Sequence, residues 1–419
     1  MKQLLILGGR PLFGKVGIAG SKNAALPILF ATLLTGGVTT LHRVPNIGDV
    51  HIAERMLREW GAKIEHGENG TLKIDTTDAA PPLFQTEAAK ALRGSLYSLG
   101  AGLGRFGEAF CSFPGGCNLG QRPIDQHIKV FRALGAEVSF LENGILVRGK
   151  ALLGTDFTFD VVSVGATVNG ILAASMAKGV TRLRGAAKEP HVVDFIHFLN
   201  QCGAKIEGAG TDVLTIYGKR PLGGTEYTLM GDEIEAGTYL LSGVATGGEV
   251  TVEGVCPGHL ESFLLALKQT GAEVSTAGEC ITAKAVASLK PLKIATGPYP
   301  AFPSDLHPQM TALLSMAQGN SQIEERIWVE RFRYVEELKK LGLKAKRKDA
   351  LLEIFGGRHL KGAVVEATDL RGGAAAVIAA LMAKGMTVIL NTSIIDRGYE
   401  SIAKKLRGLG AEVYERQGA

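Results

Sequence analysis

Cysteine is scarce in this sequence, and what there is lies scattered. Five cysteines stand at positions 111, 117, 202, 256 and 280, an odd number without Cys-x-x-Cys or Cys/His spacing. That excludes a disulfide framework and a zinc site of the usual pattern. Long apolar runs are also missing, so no segment is expected to span a bilayer, and the apolar stretch at Leu4 to Leu7 is too short for a signal peptide. A reducing cytoplasm is the expected compartment, with no membrane partner. Aromatic residues are few, and no Lys/Arg run is interleaved with them, which argues against a nucleic-acid partner. The formal net charge of +5 is mild for 419 residues and suits small anionic substrates. The short basic segment Lys344-Ala345-Lys346-Arg347-Lys348 reads as a solvated loop. No phosphate-binding Lys-Ser/Thr loop, Ser/His/Asp elbow or metal motif occurs. Gly100-Ala101-Gly102-Leu103-Gly104 looks like a dinucleotide loop, but it continues a helical pattern instead of following a strand.

Glycine, by contrast, is plentiful at 55 residues, spread through turns rather than massed in a linker. Six helix openings, at Lys22, Arg93, Gly165, Glu233, Asp305 and Arg371, each lie the same distance ahead of a turn glycine: Gly36, Gly107, Gly179, Gly247, Gly319 and Gly385. A second phrase follows each, at Gly61-Ala62, Gly135-Ala136, Gly203-Ala204, Gly271-Ala272, Gly342-Leu343 and Gly410-Ala411. The chain is thus six copies of a unit of about seventy residues, an α/β repeat. Each unit reads strand, helix, glycine turn, strand, helix, Gly-Ala turn and two short strands. A unit of this size rarely buries a core alone, so two domains of three units are expected. The boundaries fall at 22–230 for one domain and 1–21 with 231–419 for the other, because Leu4 to Leu7 is a strand without its own unit. Two crossings, near positions 20 and 230, suggest a hinge that closes on substrate.

Equivalent openings in a repeat fold tend to face one place, and helix N-termini are natural anion sites. Lys22, Arg93 and Arg371 put cations where the helix macrodipole disfavours them, so an anion is expected to compensate. Lys22 alone could also be a solvated lysine. Asp305 could be a plain helix-entry residue or part of the site. The second unit carries an extra segment, Ser112 to Pro123, in which three glycines and two prolines surround Cys117. Such a segment is a surface loop, and Arg122 beside it would favour a thiolate. From composition it reads equally well as a loop with an incidental cysteine. Cys111, Cys202, Cys256 and Cys280 read as inert.

Several signatures are more specific: Gly20-Ser21-Lys22-Asn23-Ala24-Ala25-Leu26-Pro27, Pro114-Gly115-Gly116-Cys117, Arg122-Pro123-Ile124-Asp125-Gln126-His127, Ser163-Val164-Gly165-Ala166-Thr167 and Asp396-Arg397-Gly398-Tyr399-Glu400. With them the chain resembles the UDP-N-acetylglucosamine 1-carboxyvinyltransferases, enolpyruvyl transferases of peptidoglycan precursor synthesis, from Gly8 to about Arg416. The sister enzyme of aromatic amino-acid synthesis shares the fold but differs around the first lysine and the glycine-rich segment. The resemblance implies a two-domain inside-out α/β barrel and transfer of enolpyruvyl from phosphoenolpyruvate to the 3′-hydroxyl of the sugar. It implies no metal or organic cofactor. It assigns Cys117 the proton at C3 and Asp305 the role of general base. Lys22, Arg122 and Arg397 match cations that hold phosphoenolpyruvate, with Arg93, Arg331 and Arg371 nearby. Asn23, Ser163, Val164, Gly165, Ile327 and the run Arg122, Pro123, Ile124, Asp125, Gln126, His127 match nucleotide-sugar contacts, to which Arg93 and Asp305 also belong. The chain departs from the family pattern at Val161, where lysine is common, at Glu233, where arginine is usual, and at Trp328, where phenylalanine is usual. Two alternatives are a paralogue loading another nucleotide and a non-catalytic nucleotide-sugar sensor. A sensor would have no need to keep Cys117, Asp305, Lys22 and Arg397 together.

Overall fold

A computed structural model describes residues 2–82, 88–113, 123–218, 222–357 and 359–417. Cys117, Arg122 and the glycine-rich segment around them lie outside the described residues. The chain forms two compact units, one from residues 2–19 and 231–417, the other from residues 20–113 and 123–230.

The predicted order of elements is adopted by five of the repeats, and the second shows it without the leading strand among the described residues. In the third, strand Asp156–Thr158 leads into helix Val164–Ala174, then strand Val180–Arg184, helix Pro190–Gln201 and strands Lys205–Glu207 and Val213–Tyr217. Asp156–Thr158 and Val180–Arg184 pair in parallel across the helix, and the remaining pairs are antiparallel. This mixed pattern recurs in five four-stranded sheets, while the second repeat shows three strands among the described residues. The turn glycines explain why the spacing is fixed. Gly36, Gly107, Gly179, Gly247, Gly319 and Gly385, and their counterparts at the second turns, all have φ between 59° and 138°. Only glycine takes that left-handed conformation without a Cβ penalty, so the residue at each turn between helix and strand is set by stereochemistry.

The chain ends close the repeats. Lys2–Gly8, the strand expected from Leu4 to Leu7, lies antiparallel between Gly385–Leu390 and Glu412–Gln417, completing the sixth sheet. Phe13–Gly17 adds a parallel edge to Glu249–Glu253 of the fourth. Glu226–Thr228 does the same for Val38–His42 of the first.

The first helix of each repeat is buried on nearly every side. In Lys22–Thr35 all residues from Ala24 onward are buried, and in Glu233–Ala245 every residue is. A helix apolar all round belongs at the centre of a core. The second helices, such as Gly48–Glu59 and Asp125–Ala133, bury one face. The sheets alternate buried and exposed residues, as one-sided outer layers do. Each unit is therefore a triple of inner helices wrapped by sheets, and the glycines within the helices permit the close approach. Gly100 to Gly104 lies in helix Tyr97–Phe106, as its pattern predicted. A Cβ on Gly102 would stand 2.3 Å from the Trp60 ring, which is itself buried. Gly102→Ala should therefore destabilise the protein by roughly 1–3 kcal/mol, read as a lower urea midpoint. An unchanged midpoint would mean that Trp60 can move aside without cost.

Candidate active site

Candidate residues fall in each of the two units. In the unit formed by residues 20–113 and 123–230, Ser21 caps helix Lys22–Thr35, its Oγ accepting from the Ala24 N–H at 3.4 Å. Lys22 is the first helical residue, and its Nζ lies 2.9 Å from Asp49 Oδ2. Asp49 opens the next helix of the repeat and is buried. The anion expected to balance Lys22 thus includes one supplied by the protein. Asn23, the next residue, is half-buried.

Arg93 opens a 3-10 turn, Arg93–Leu96, ahead of its helix. It is half-buried, and burial holds its guanidinium below the ordinary arginine range. Its charge bears on His127, a buried residue of helix Asp125–Ala133. Burial, then the Arg93 charge, pushes the imidazole down to about 4 against a weaker opposing pull from Asp125. The ring packs on Gly165, where a Cβ would stand 2.7 Å from His127 Nε2. Gly165 is the second residue of helix Val164–Ala174, capped by Ser163, whose Oγ accepts from Ala166 N–H at 3.3 Å. Glycine at this opening is therefore a seat for His127, and Val164 beside it is half-buried. Gln126 is fixed by a two-way bond with Asp160: its Nε2 donates to Oδ2 at 2.8 Å, and its Oε1 accepts from the Asp160 N–H at 3.0 Å. Gln126 Nε2 also donates to Asp125 Oδ2 at 2.7 Å. Pro123 and Asp125 are exposed, and Ile124 is half-buried against the core. Val161 is exposed.

In the unit formed by residues 2–19 and 231–417, Asp305 occupies the 3-10 turn Ser304–Leu306 ahead of helix His307–Leu314. Its Oδ1 accepts from Arg331 Nη1 at 2.5 Å, and its Oδ2 accepts from Arg371 Nε at 3.1 Å and Nη2 at 3.0 Å. The two arginines are 6% and 3% exposed, the aspartate 28%. Arg331 and Arg371, expected near phosphoenolpyruvate, are thus committed first to orienting Asp305. Burial pulls the Arg371 guanidinium down, but Asp305, Tyr399 and Asp232 more than offset this and hold it above the ordinary range. Its guanidinium also lies over the Tyr399 ring, 5.5 Å from the centroid. Asp369 caps the helix that Arg371 enters, Oδ1 accepting from Arg371 and Gly372 N–H at 3.0 Å each. Asp232 does the same ahead of Glu233. Glu233 is buried in the first turn, where the macrodipole favours an acid. Arg397 ends the 3-10 stretch Thr392–Arg397 and is half-buried. Ile327 and Trp328, also half-buried, donate their N–H groups to Glu325 Oε1 at 2.7 and 2.8 Å.

Five participants were not singled out from the sequence: Asp49, Asp232, Asp369, Ser304 and Glu325. Asp232 and Asp369 carried a signal, since an Asp just before a buried helix is a cap. Asp49 carried none, because its partner stands on another helix. Among the described residues no cluster of His, Cys, Asp or Glu could hold a metal ion. No described helix is long and apolar enough to cross a membrane.

The family profile of EPSP synthase (3-phosphoshikimate 1-carboxyvinyltransferase) matches residues 6–406. A Clostridium botulinum protein named UDP-N-acetylglucosamine 1-carboxyvinyltransferase is 49% identical over 414 residues, covering 99% of both chains. The chain belongs to the UDP-N-acetylglucosamine 1-carboxyvinyltransferases, within the EPSP synthase family. A carboxyvinyltransferase relative from Caldanaerobacter subterraneus is 46% identical over 413 residues, again with 99% of each chain covered. The fold is that of the enolpyruvyl transferases. The crystal structure of NikO from Streptomyces tendae aligns with a TM-score of 0.91 at 24% identity, covering 100% of this chain and 99% of that one. An EPSP synthase structure from Acinetobacter baumannii gives 0.76 at 20% identity, with both chains covered in full.

The state of His127 makes a pH prediction for this transferase. With a folded-state value of about 4 against 6.5 for a free imidazole, the unfolded chain binds the proton more readily between these limits. The stability contributed by neutral His127 is complete above pH 6.5 and is lost as pH falls towards 4, by roughly 3 kcal/mol. Urea unfolding across that range should show the loss, and His127→Gln should flatten it. An equal slope in the variant would place the acid sensitivity elsewhere.

Proposed function

We propose that this transferase moves the enolpyruvyl group of phosphoenolpyruvate to the 3′-hydroxyl of UDP-N-acetylglucosamine and releases phosphate. This is the first committed step of peptidoglycan precursor synthesis. The observation that carries the reading is identity of 49% along 99% of a chain bearing that name. A small anionic donor and a nucleotide-sugar acceptor are the partners it requires.

Asp305 takes the hydroxyl proton as the sugar oxygen bonds to C2 of phosphoenolpyruvate. Cys117 delivers a proton to C3, giving a tetrahedral adduct. Loss of a proton from C3 then expels phosphate and restores the double bond as an enol ether. The geometry supports the role of Asp305, because a base must hold one orientation toward the proton it takes. Three hydrogen bonds from two buried guanidiniums provide that, while the side chain stays partly exposed. Lys22, Arg122 and Arg397 take the phosphate and carboxylate of the donor, with Arg93 close to the acceptor. Asn23, Ser163, Val164, Gly165, Ile327 and the run from Pro123 to His127 hold the nucleotide sugar. His127 in its neutral form adds no charge there, so acceptor phosphates rely on Arg93, Arg122 and helix amides. Addition and elimination at an activated enol need placed acids, bases and cations, which these side chains supply.

Phosphate release from phosphoenolpyruvate should depend on UDP-N-acetylglucosamine. Equal release with unrelated nucleotides would replace the acceptor. Cys117→Ala should abolish turnover, and the epoxide fosfomycin should alkylate the Cys117 thiol when nucleotide sugar is present. Intact mass after incubation checks this, and an unmodified thiol would remove Cys117 from its role.

A further inference from the structure

Glu325 lies in Ile323-Glu324-Glu325-Arg326, which reads as a solvated charge run. The structure separates its members. Glu324 and Arg326 pair with each other, and their pair is largely exposed. Glu325 is wholly buried, 0% exposed. Burying a carboxylate is costly unless its oxygens are well supplied with donors. Here Oε1 accepts from the Ile327 and Trp328 N–H groups at 2.7 and 2.8 Å. Oε2 accepts from Ser304 Oγ at 2.9 Å, and His307 Nε2 lies 3.3 Å from it. Ser304 Oγ in turn accepts from Arg331 Nη1 at 3.0 Å, the nitrogen that donates to Asp305.

We propose that Glu325 is a positioning residue, whose buried carboxylate locks the turn bearing Asp305 to the loop bearing Ile327 and Arg331. The inference rests on the reading of Asp305 as the proton acceptor. One oxygen fixes the loop through two backbone amides. The other fixes the Asp305 turn through Ser304. His307 braces the far side, with Nδ1 3.2 Å from Tyr334 Oη, which pairs with Thr311 Oγ1 at 2.8 Å. Glutamine has the same shape but cannot do both jobs. If its oxygen meets the two amides, its NH2 faces Ser304, and the hydroxyl proton loses its acceptor. If it is turned over, the NH2 meets two donors.

The test compares Glu325→Gln, Ser304→Ala and the double variant. Each single change should lower kcat by roughly 10- to 100-fold, as a misplaced reacting group does. KM for UDP-N-acetylglucosamine should rise far less than kcat falls, even though Ile327 lies on the loosened loop. The double variant should fall no further than the weaker single, since both act through one linkage. Multiplying losses, or wild-type kcat with only a lowered Tm, would overturn the proposal. Should Glu325→Gln fail to fold, Ser304→Ala removes the same linkage with a smaller change. A second readout needs no turnover. Amide hydrogen exchange should quicken together in residues 304–306 and 326–331 of Glu325→Gln, or of Ser304→Ala in its place, and stay unchanged in the inner helices. Unchanged exchange in either segment would also overturn it. An inactive wild type would remove the catalytic reading of Asp305, and exchange alone would then decide whether Glu325 holds the two segments.

Discussion

One carboxylate between two buried guanidiniums sets the terms for the candidate residues of the unit formed by residues 2–19 and 231–417. Arg331 and Arg371 are almost wholly enclosed, and burying a guanidinium without a partner carries a large desolvation cost. Asp305 is that partner for both. The same contacts that make the arginines tolerable also fix the aspartate, so its orientation follows from the cost of burying charge. Arg371 carries a second penalty, because it enters a helix at the end where the macrodipole repels cations. Asp369 at the cap and Asp305 across from it offset this together. The other unit solves the equivalent problem for Lys22 with Asp49.

The repeat supplies the places and leaves their chemistry open. Each inner helix begins at or within a few residues of its unit's opening and is followed, at its end or within a few residues of it, by a left-handed glycine at the turn into the next strand. What stands at the opening is constrained only by capping and by local charge. Lysine with Asp49, arginine opening a 3-10 turn, glycine under His127, glutamate suited to the dipole, and aspartate under two arginines are different answers to equivalent positions of the repeat. This freedom lets equivalent positions of one repeat carry different chemistry.

Much of this was readable beforehand, for identifiable reasons. The spacing from opening to turn glycine is the same in all six copies, so it reveals where the inner helices lie. Leu4 to Leu7 stood out as a strand because no unit claimed it. The helical period of Gly100 to Gly104 correctly excluded a dinucleotide loop. Pairings were another matter. Asp305 and Arg371 belong to different repeats, and nothing local announces that they meet. The counter-charge of Lys22 was expected from a ligand, whereas Asp49 lies on a neighbouring helix and gives no sequence signal. Glu325 hid inside a charge run, although alternation from Ser321 through Ile323 points it inward with them.

The claim on which this account most depends is that Asp305 is a proton acceptor held in place by its arginines, and not simply their counter-ion. Turnover and nucleotide-sugar affinity measured on Asp305→Asn separate the two. The account predicts a fall in kcat of about 10²–10⁴-fold, with the Kd for UDP-N-acetylglucosamine nearly unchanged. Losses of similar size in both quantities would contradict it and leave Asp305 as a structural ion.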